Sequence, residues 1–303
     1  MHGFRTDLAM EAFDGAQDAR PCGVDVHRWE EGGVMLTEVV VTTDDAARAL
    51  GKPAGRYLTM ESPLLKKRDP DVRTAMATLL SEELSRLLPA WDGRSCALVI
   101  GLGNRQITPD ALGPAVIDRT LVTRHLSDHL FPLSDMRPVS AIAPGVLGVT
   151  GIETMDVVES LVKLVRPCAV ICVDSLAARD SARIGATLQL TDTGIQPGAG
   201  VGNHRRALTR QSVGAPVIAI GMPTVIHAAT LARDALECLG KQAGDFDLSD
   251  AEHGLPGTAL GEMIVTPREI DALIQDAAGI IAAGINRALQ PELTDAEIAA
   301  MMD

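Results

Sequence analysis

The sequence predicts an α/β fold in three layers, in which a mostly parallel central sheet is flanked by helices. From residue 97 onward, short apolar runs alternate with helical stretches, and each run is bounded by Gly, Pro or Asp. Runs that are apolar almost throughout are typical of parallel strands buried on both faces. Aromatic residues make up only 2% of the chain, so the core must pack mainly through Ala, Val, Leu and Ile. The predicted core strands are 97–100, 139–142, 169–173 and 217–220.

The first ninety residues predict a mixed α+β segment. Residues 34–41 and 56–61 have the composition of strands, and a short helix is expected from near Thr43 to Gly51. Residues 70–88 predict an amphipathic helix. Residues 186–190 predict a further strand at an edge of the sheet.

Two Thr-x-x-Glu strings have the spacing of a helix capping box. They are Thr150 to Glu153 and Thr266 to Glu269, and the second also has Pro at the first helical position. We expect the second helix to continue to about Leu289.

The chain is predicted to be a single domain over residues 1–303, without internal repeats. An N-terminal α+β segment (1–90) packs on an α/β core (91–239). A Gly- and acid-rich surface loop (240–262) follows, and a C-terminal helix occupies 263–303.

Composition excludes several classes of function. The net charge is −13 and no run is rich in Lys or Arg, so a nucleic-acid backbone would be repelled. The five cysteines have no Cys-x-x-Cys spacing, which argues against a disulfide scaffold or zinc ribbon and predicts a reduced, cytoplasmic compartment. No run approaches eighteen apolar residues, and the start of the chain lacks the layout of a signal peptide, so we predict no membrane contact.

Two aspartates are the leading candidates for catalysis. Asp110 follows the strand 97–100 in the string Thr108-Pro109-Asp110, which we expect in the opening turn of a helix, and Asp174 ends the apolar run 169–173. If those strands are neighbours, both carboxylates leave the same edge of the sheet and can converge. Two carboxylates that share a site do not both ionise freely, so one could act as a base on water while the other donates a proton. Purely structural roles, at a helix start for Asp110 and in a turn for Asp174, stay open on spacing alone.

Two glycine-rich turns follow predicted strands. Gly101 and Gly103 resemble the start of a dinucleotide fingerprint, but Gln106 stands where its third glycine belongs, so no nucleotide cofactor is predicted. The turn that contains Gly145 and Gly148 could bind a substrate carbonyl or an anion through its backbone N–H groups. A tight strand-to-helix connection explains it equally well.

Other catalytic patterns are weaker. The sequence contains neither Gly-x-Ser-x-Gly nor His-Glu-x-x-His. His125 and His129 have helical i, i+4 spacing, but we interpret them as a solvated pair late in the helix after Asp110, and no metal site is predicted. His204 and His227 lie near the later strands and are candidate neighbours of the site.

Longer strings resemble the spore germination protease family, peptidase family A25, and cover nearly the whole chain apart from residues 240–262. The strings in question are Arg5-Thr6-Asp7-Leu8-Ala9, Gly101-Leu102-Gly103-Asn104, Thr108-Pro109-Asp110-Ala111-Leu112-Gly113-Pro114, Leu121-Val122-Thr123-Arg124-His125-Leu126, Ala143-Pro144-Gly145-Val146-Leu147-Gly148, Thr150-Gly151-Ile152-Glu153-Thr154, Asp192-Thr193-Gly194-Ile195, Gly200-Val201-Gly202-Asn203, Pro216-Val217-Ile218-Ala219-Ile220-Gly221, Pro223-Thr224-Val225 and Val265-Thr266-Pro267-Arg268-Glu269.

The resemblance implies an endopeptidase that starts the degradation of small acid-soluble spore proteins during germination, in the cytoplasm of the forespore or spore core. It implies a phosphorylase/hydrolase-like core similar to hydrogenase maturation proteases, a self-processing zymogen and a homotetramer. The family's two active-site carboxylates fall on Asp110 and Asp174. Supporting or substrate-binding residues are expected among Gly103, Asn104, Gly145, Gly148, Arg124, Arg179 and His227, the two arginines as contacts for an acidic substrate.

The sequence departs from the family pattern in two places. Only Met1 to Phe4 precede the Arg5-Thr6-Asp7 string, so self-processing is expected to remove very little. The family usually has Asp where His227 stands. Two alternatives remain: a nickel-dependent hydrogenase-maturation type of protease, with Asp110, Asp174 and either His204 or His227 as ligands, and a non-catalytic binding module on the same fold.

Overall fold

The centre of the molecule is a nine-stranded mixed sheet with helices on both faces. This computed structural model describes residues 6–16, 22–92, 94–126, 136–198, 206–232, 234–235 and 263–302. The strands are β1 (Val24–Glu31), β2 (Val34–Val41), β3 (Gly55–Glu61), β4 (Ala97–Gly101), β5 (Val139–Ile142), β6 (Ala169–Ala178), β7 (Thr187–Thr191), β8 (Val217–His227) and β9 (Ile264–Val265). The helices are α1 (Ala9–Gly15), α2 (Asp44–Leu50), α3 (Pro70–Leu87), α4 (Leu112–Ile117), α5 (Leu147–Thr150), α6 (Thr154–Val165), α7 (Arg210–Val213), α8 (Ile270–Leu289) and α9 (Asp295–Met302).

The predicted parallel core is confirmed within a sheet that is mixed as a whole. The strand order is β1-β2-β3-β7-β8-β6-β4-β5, and β9 pairs with β8. Strands β5, β4, β6 and β8 run parallel to one another, whereas every other pairing is antiparallel. The expectation that residues 186–190 form an edge strand was wrong, because β7 lies between β3 and β8.

The N-terminal strands extend the core sheet through the pairing of β3 with β7. The division of the chain into segments stays a prediction, and the expected loop at 240–262 lies outside the described residues.

The molecule has three layers because different helices cover the two faces of the sheet. On one face, α3, α4 and α8 share a core cluster with residues such as Val99, Ile171 and Ile220. On the other face, α6 packs on the far side of β4 and β6, and α1 and α2 pack on the N-terminal strands. The predicted arrangement of helices on both faces is therefore confirmed. No helix in the described ranges is both long and apolar enough to cross a bilayer.

Helix starts follow the prediction at one site and depart from it at two. Thr43 caps α2 by accepting a hydrogen bond from the Ala46 amide at 3.2 Å, as expected. Thr150 instead ends α5, and Glu153 precedes α6 without a side-chain cap. The Thr266 hydroxyl donates to the Thr224 carbonyl oxygen, and α8 begins only at Ile270, with Glu269 rather than Thr266 at its N-cap and no side-chain cap. Both predicted capping boxes were therefore wrong, although α8 ends at Leu289 as expected.

A step in the sheet creates the site described below. Pairing of β4 with β6 stops at Gly101 and Val173, whereas pairing of β6 with β8 continues from Asp174 opposite Gly221 to Ala178 opposite Ile226. Asp174 therefore lies within β6 rather than at its end, which corrects the prediction. Its position still coincides with the carboxyl end of β4, because the neighbouring strand stops there.

Candidate active site

Asp110 lies beside the carboxyl end of β4, in a single 3-10 turn formed by Thr108–Asp110. The expectation that it opens a helix was wrong, since α4 begins at Leu112. The Asn104 amide donates to the Asp110 carbonyl oxygen at 2.9 Å and to its carboxylate Oδ2 at 2.8 Å. Asn104 thus contacts Asp110 through its main chain, and its role in supporting the site stays a prediction.

Two neighbours fix the turn that carries Asp110. Gly103 has a φ of 109°, and a Cβ there would overlap the Asp110 carbonyl oxygen. Thr224, fully buried on β8, donates to the Pro109 carbonyl oxygen at 2.8 Å. The turn is therefore held against both β4 and β8.

Asp174 is a buried carboxylate on the adjacent strand. It is 4% exposed, and its Oδ1 accepts a hydrogen bond from the Ser175 amide at 2.9 Å. Because β4 and β6 are neighbours, Asp110 and Asp174 leave adjacent strands, as the sequence predicted.

Asp110 and Asp174 line one cavity of about 400 Å³. A second cavity, of about 160 Å³, is also lined by Asp174, together with Lys52, Tyr57 and Gln189 among others. The two cavities share five wall residues: Asp7, Asp174, Ser175, Leu176 and Gly198. Asp174 therefore borders both halves of one cleft.

A third carboxylate, Asp7, enters this cleft. It belongs to residues 6–11, which we call the N-terminal segment. Its amide donates to the Ala177 carbonyl oxygen at 3.0 Å, and its Oδ2 accepts from the Ala177 amide at 2.8 Å. The chain just before α1 thus runs along the end of β6 beside both predicted catalytic residues. The analysis of spacing missed Asp7, and its place in the Arg5-Thr6-Asp7-Leu8-Ala9 string was the only signal for it.

Lys52 and Gln189 bind the main chain of the same N-terminal segment. The Lys52 ammonium donates to the carbonyl oxygens of Thr6 at 2.9 Å and Asp7 at 3.0 Å. The Gln189 amide donates to the Asp7 carbonyl oxygen at 3.1 Å and accepts from the Ala9 amide at 2.7 Å. Desolvation lowers the pKa of Lys52, although the nearby charges of Asp7 and Glu11 oppose this effect. Neither Lys52 nor Gln189 was predicted from the sequence.

The other predicted site residues lie outside the walls of these cavities. Arg124 lies in an exposed turn, and its positive charge acts on Cys96. Cys96 precedes the amino end of β4, which is the end opposite to the one beside Asp110. Arg179 follows β6, and its main-chain amide donates to the Glu11 carboxylate of α1. Gly145 and Gly148 lie in the connection after edge strand β5. His227 ends β8 opposite Ile264.

Within the described residues, no three His, Cys, Asp or Glu side chains are grouped so that they could hold a metal ion. His125 lies in the turn Arg124–Leu126, well after the end of α4 at Ile117, which corrects its predicted place on that helix. His129 and His204 lie outside the described residues.

Tyr57 lies on the wall of the smaller cavity. We predict that its titration makes the stability of the folded protein depend measurably on pH. Burial raises its pKa from 10.0 to about 12. Because the pKa of Tyr57 is higher in the folded state than in the unfolded state, its contribution to stability is fully present below the unfolded-state pKa. This contribution is lost as pH rises through the folded-state pKa. We expect the parent protein to lose about 2–3 kcal/mol of stability between these values and a Tyr57→Phe variant to lose much less.

Absorbance can follow this titration directly because Tyr57 is the only tyrosine in the chain. Tyrosinate should form with a midpoint near 12 in the native protein and near 10 in denaturant. Equal midpoints in the two states would contradict the prediction.

The family model and the curated relatives that match this chain agree with each other. The family model for germination protease, peptidase family A25, matches residues 7–254. A germination protease of Caldanaerobacter subterraneus subsp. tengcongensis is 41% identical over 98% of this chain and 97% of its own length. One from Clostridium perfringens is 40% identical over 97% of each chain. Among solved structures, the NiFe hydrogenase maturation protease HycI from Thermococcus kodakarensis KOD1 matches with a TM-score of 0.35 and 17% identity, over 67% of this chain and 98% of that chain.

The family model and the relatives define this α/β protein as a peptidase, whose substrates are proteins. The chain belongs to the germination protease family, as the sequence strings indicated.

Proposed function

We propose that this protein is an endopeptidase that cleaves small acid-soluble spore proteins during spore germination, with Asp110 and Asp174 as its catalytic carboxylates. The observation that carries the proposal is that adjacent strands deliver both side chains to the wall of one cavity. Membership of the family supports the substrate class.

In the proposed mechanism a water molecule attacks the peptide bond directly. One carboxylate accepts a proton from water as the new C–O bond forms, and the other, protonated, donates to the leaving nitrogen as the C–N bond breaks. No covalent intermediate is needed, because the nucleophile is water.

An acidic substrate needs a local positive charge, since the chain carries a net charge of −13. The placement of Arg124 and Arg179 gives no support to their predicted role in a substrate pocket. Within the described part of the chain, Lys52 is the one cationic side chain on the wall of either cavity. We assign the local positive charge to Lys52.

The N-terminal segment supports the proposal that the chain processes itself. Asp7 places an acidic residue and its flanking peptide bonds in the cleft that holds the carboxylate pair. A protease that cuts beside acidic residues would then cut near Asp7 as a zymogen. A homotetramer in the cytoplasm of the forespore or spore core completes the proposal and rests on the family resemblance.

The decisive experiment is incubation of the purified full chain with a small acid-soluble spore protein, followed by a gel and by mass spectrometry of all products. We expect defined fragments cut beside acidic residues, and a loss of mass at the N-terminus of the enzyme itself. Cleavage should be unchanged after treatment with a chelator.

Each other outcome points to a different function. Loss of cleavage with chelator and recovery with Ni²⁺ would replace the carboxylate mechanism with a nickel-dependent one. A stable complex without any fragments would indicate a binding module.

A further inference from the structure

We propose that Lys52 and Gln189 form the site that binds and polarises the carbonyl oxygen of the peptide bond to be cut. This inference rests on the proposed peptidase function and assigns to that cleft a second catalytic group. It makes Lys52 and Gln189 catalytic residues, since both would touch the reacting carbonyl.

The N-terminal segment shows how a peptide is held at this place. Two donors converge on a single atom, the Asp7 carbonyl oxygen, at 3.0 Å from the Lys52 ammonium and 3.1 Å from the Gln189 amide nitrogen. Gln189 also accepts a hydrogen bond from the Ala9 amide, so it contacts the main chain on both sides of Leu8. These contacts involve only main-chain atoms of the bound segment, and another peptide could form them equally well.

The sheet places this pair of donors opposite Asp174. Gln189 and Asp174 both pair with Gly221, one from each side, so their side chains lie on the same face of the sheet. Two strand spacings separate them by about 10 Å. The Leu176 side chain covers Gly221 between them. Because Leu176, Gln189 and Asp174 all line the smaller cavity, we place the substrate peptide over Leu176, with the donors on one side and the carboxylate on the other.

The two donors would increase the rate of cleavage as well as bind the substrate. When water attacks the carbonyl carbon, the π electrons of the C=O bond move to the oxygen, which becomes negatively charged. An ammonium group and an amide N–H that already point at that oxygen stabilise the charge as it develops. The proton leaves the attacking water for the carboxylate pair, and the amine departs with a proton from the same pair.

The state of Lys52 makes the proposal sensitive to pH. The charges that act on it are those of Asp7 and Glu11 of the N-terminal segment, and the other titratable groups that line the same cavity are Tyr57 of β3 and Asp174 of β6. Since desolvation lowers the pKa of Lys52, its ammonium form should be lost at a lower pH than in an exposed lysine. Turnover should therefore fall as pH rises and the Lys52 ammonium loses its proton.

The test compares Lys52→Met, Lys52→Arg and Gln189→Glu in the full chain, with a small acid-soluble spore protein as substrate. We expect Lys52→Met to lower kcat by about 10²- to 10³-fold. KM should rise as well, because the same ammonium supplies the local positive charge for an acidic substrate. Lys52→Arg should restore most of kcat and move the alkaline loss of activity to higher pH. Gln189→Glu keeps an acceptor for the Ala9 amide but loses the donor to the Asp7 carbonyl, so kcat should also fall.

A purely structural role for the pair predicts a different pattern. If Lys52 and Gln189 only anchor the N-terminal segment, kcat will stay near the parent value, and the alkaline limb will be the same in the parent and in Lys52→Arg. Either result would overturn this inference while leaving the carboxylate mechanism in place. A parent protein that cleaves nothing would overturn the proposed function and this inference together.

Discussion

An Asp174→Asn variant is expected to cleave a small acid-soluble spore protein about 10²- to 10⁴-fold more slowly than the parent, with its fold intact. Asn has nearly the same shape as Asp, and its amide oxygen can still accept the Ser175 N–H that the carboxylate accepts now. The variant therefore keeps this contact but loses the negative charge and the ability to exchange a proton with water. Asp110→Asn should behave in the same way, because an amide oxygen can accept the Asn104 N–H.

The measurement is a time course of substrate cleavage, accompanied by thermal unfolding to confirm the fold. Asp156→Asn is a suitable control, since Asp156 lies exposed on α6 and pairs with Arg206 at the surface. It should cleave at the parent rate. Near-parent turnover in purified Asp174→Asn would refute its assignment as a catalytic residue.

Gly113→Ala is expected to cause a large loss of stability. Gly113 lies in α4, where an added Cβ would overlap the amide nitrogen and carbonyl oxygen of Leu102 and lie 2.6 Å from the Val173 carbonyl oxygen. Every one of these atoms belongs to a backbone, so no side chain can rotate away. We expect a loss of about 3 kcal/mol or more in the free energy of unfolding, together with a displaced Asp110 turn.

Urea unfolding of Gly279→Ala provides a matched control. Gly279 is also helical, in α8, but nothing lies within 4 Å of its added Cβ. Replacing a helical glycine with alanine in open space should stabilise the protein by about 0.5–1 kcal/mol. Equal unfolding midpoints for the two variants would show that close packing at Gly113 is not required.

The elements predicted best from the sequence are those whose local pattern matches their final surroundings. The core strands were predicted because both of their faces are buried, which makes their residues apolar throughout. Strands β6 and β8 are longer than predicted because polar residues such as Ser175 and Thr224 look like strand ends. Strand β1 was missed because it is an edge strand with mostly exposed residues, although Val24 and Val26 alternate with polar residues as expected of a strand.

Long-range pairing limited the rest of the fold prediction. β7 looked like an edge strand because nothing in its own sequence shows that β3 will pair with it; Tyr57 and Thr191, which face each other there, are far apart in the chain.

The residues of the candidate site also fall into a group that could be predicted from the sequence and a group that could not. Asp110 and Asp174 could be predicted because a parallel sheet brings the carboxyl ends of neighbouring strands together. Asp7, Lys52 and Gln189 come from three distant segments and meet through main-chain contacts that leave no spacing signal. Such residues become visible only when the N-terminal segment is seen in the cleft.

The claim that Asp110 and Asp174 act as one catalytic unit is tested most directly by the rate of the Asp110→Asn, Asp174→Asn double variant beside the two single variants. If both carboxylates act on the same water molecule, removing the second should cost little once the first is gone. The account therefore predicts that the double variant is about as slow as the slower single variant. Losses that multiply in the double variant would show that the two residues act independently, and would contradict it.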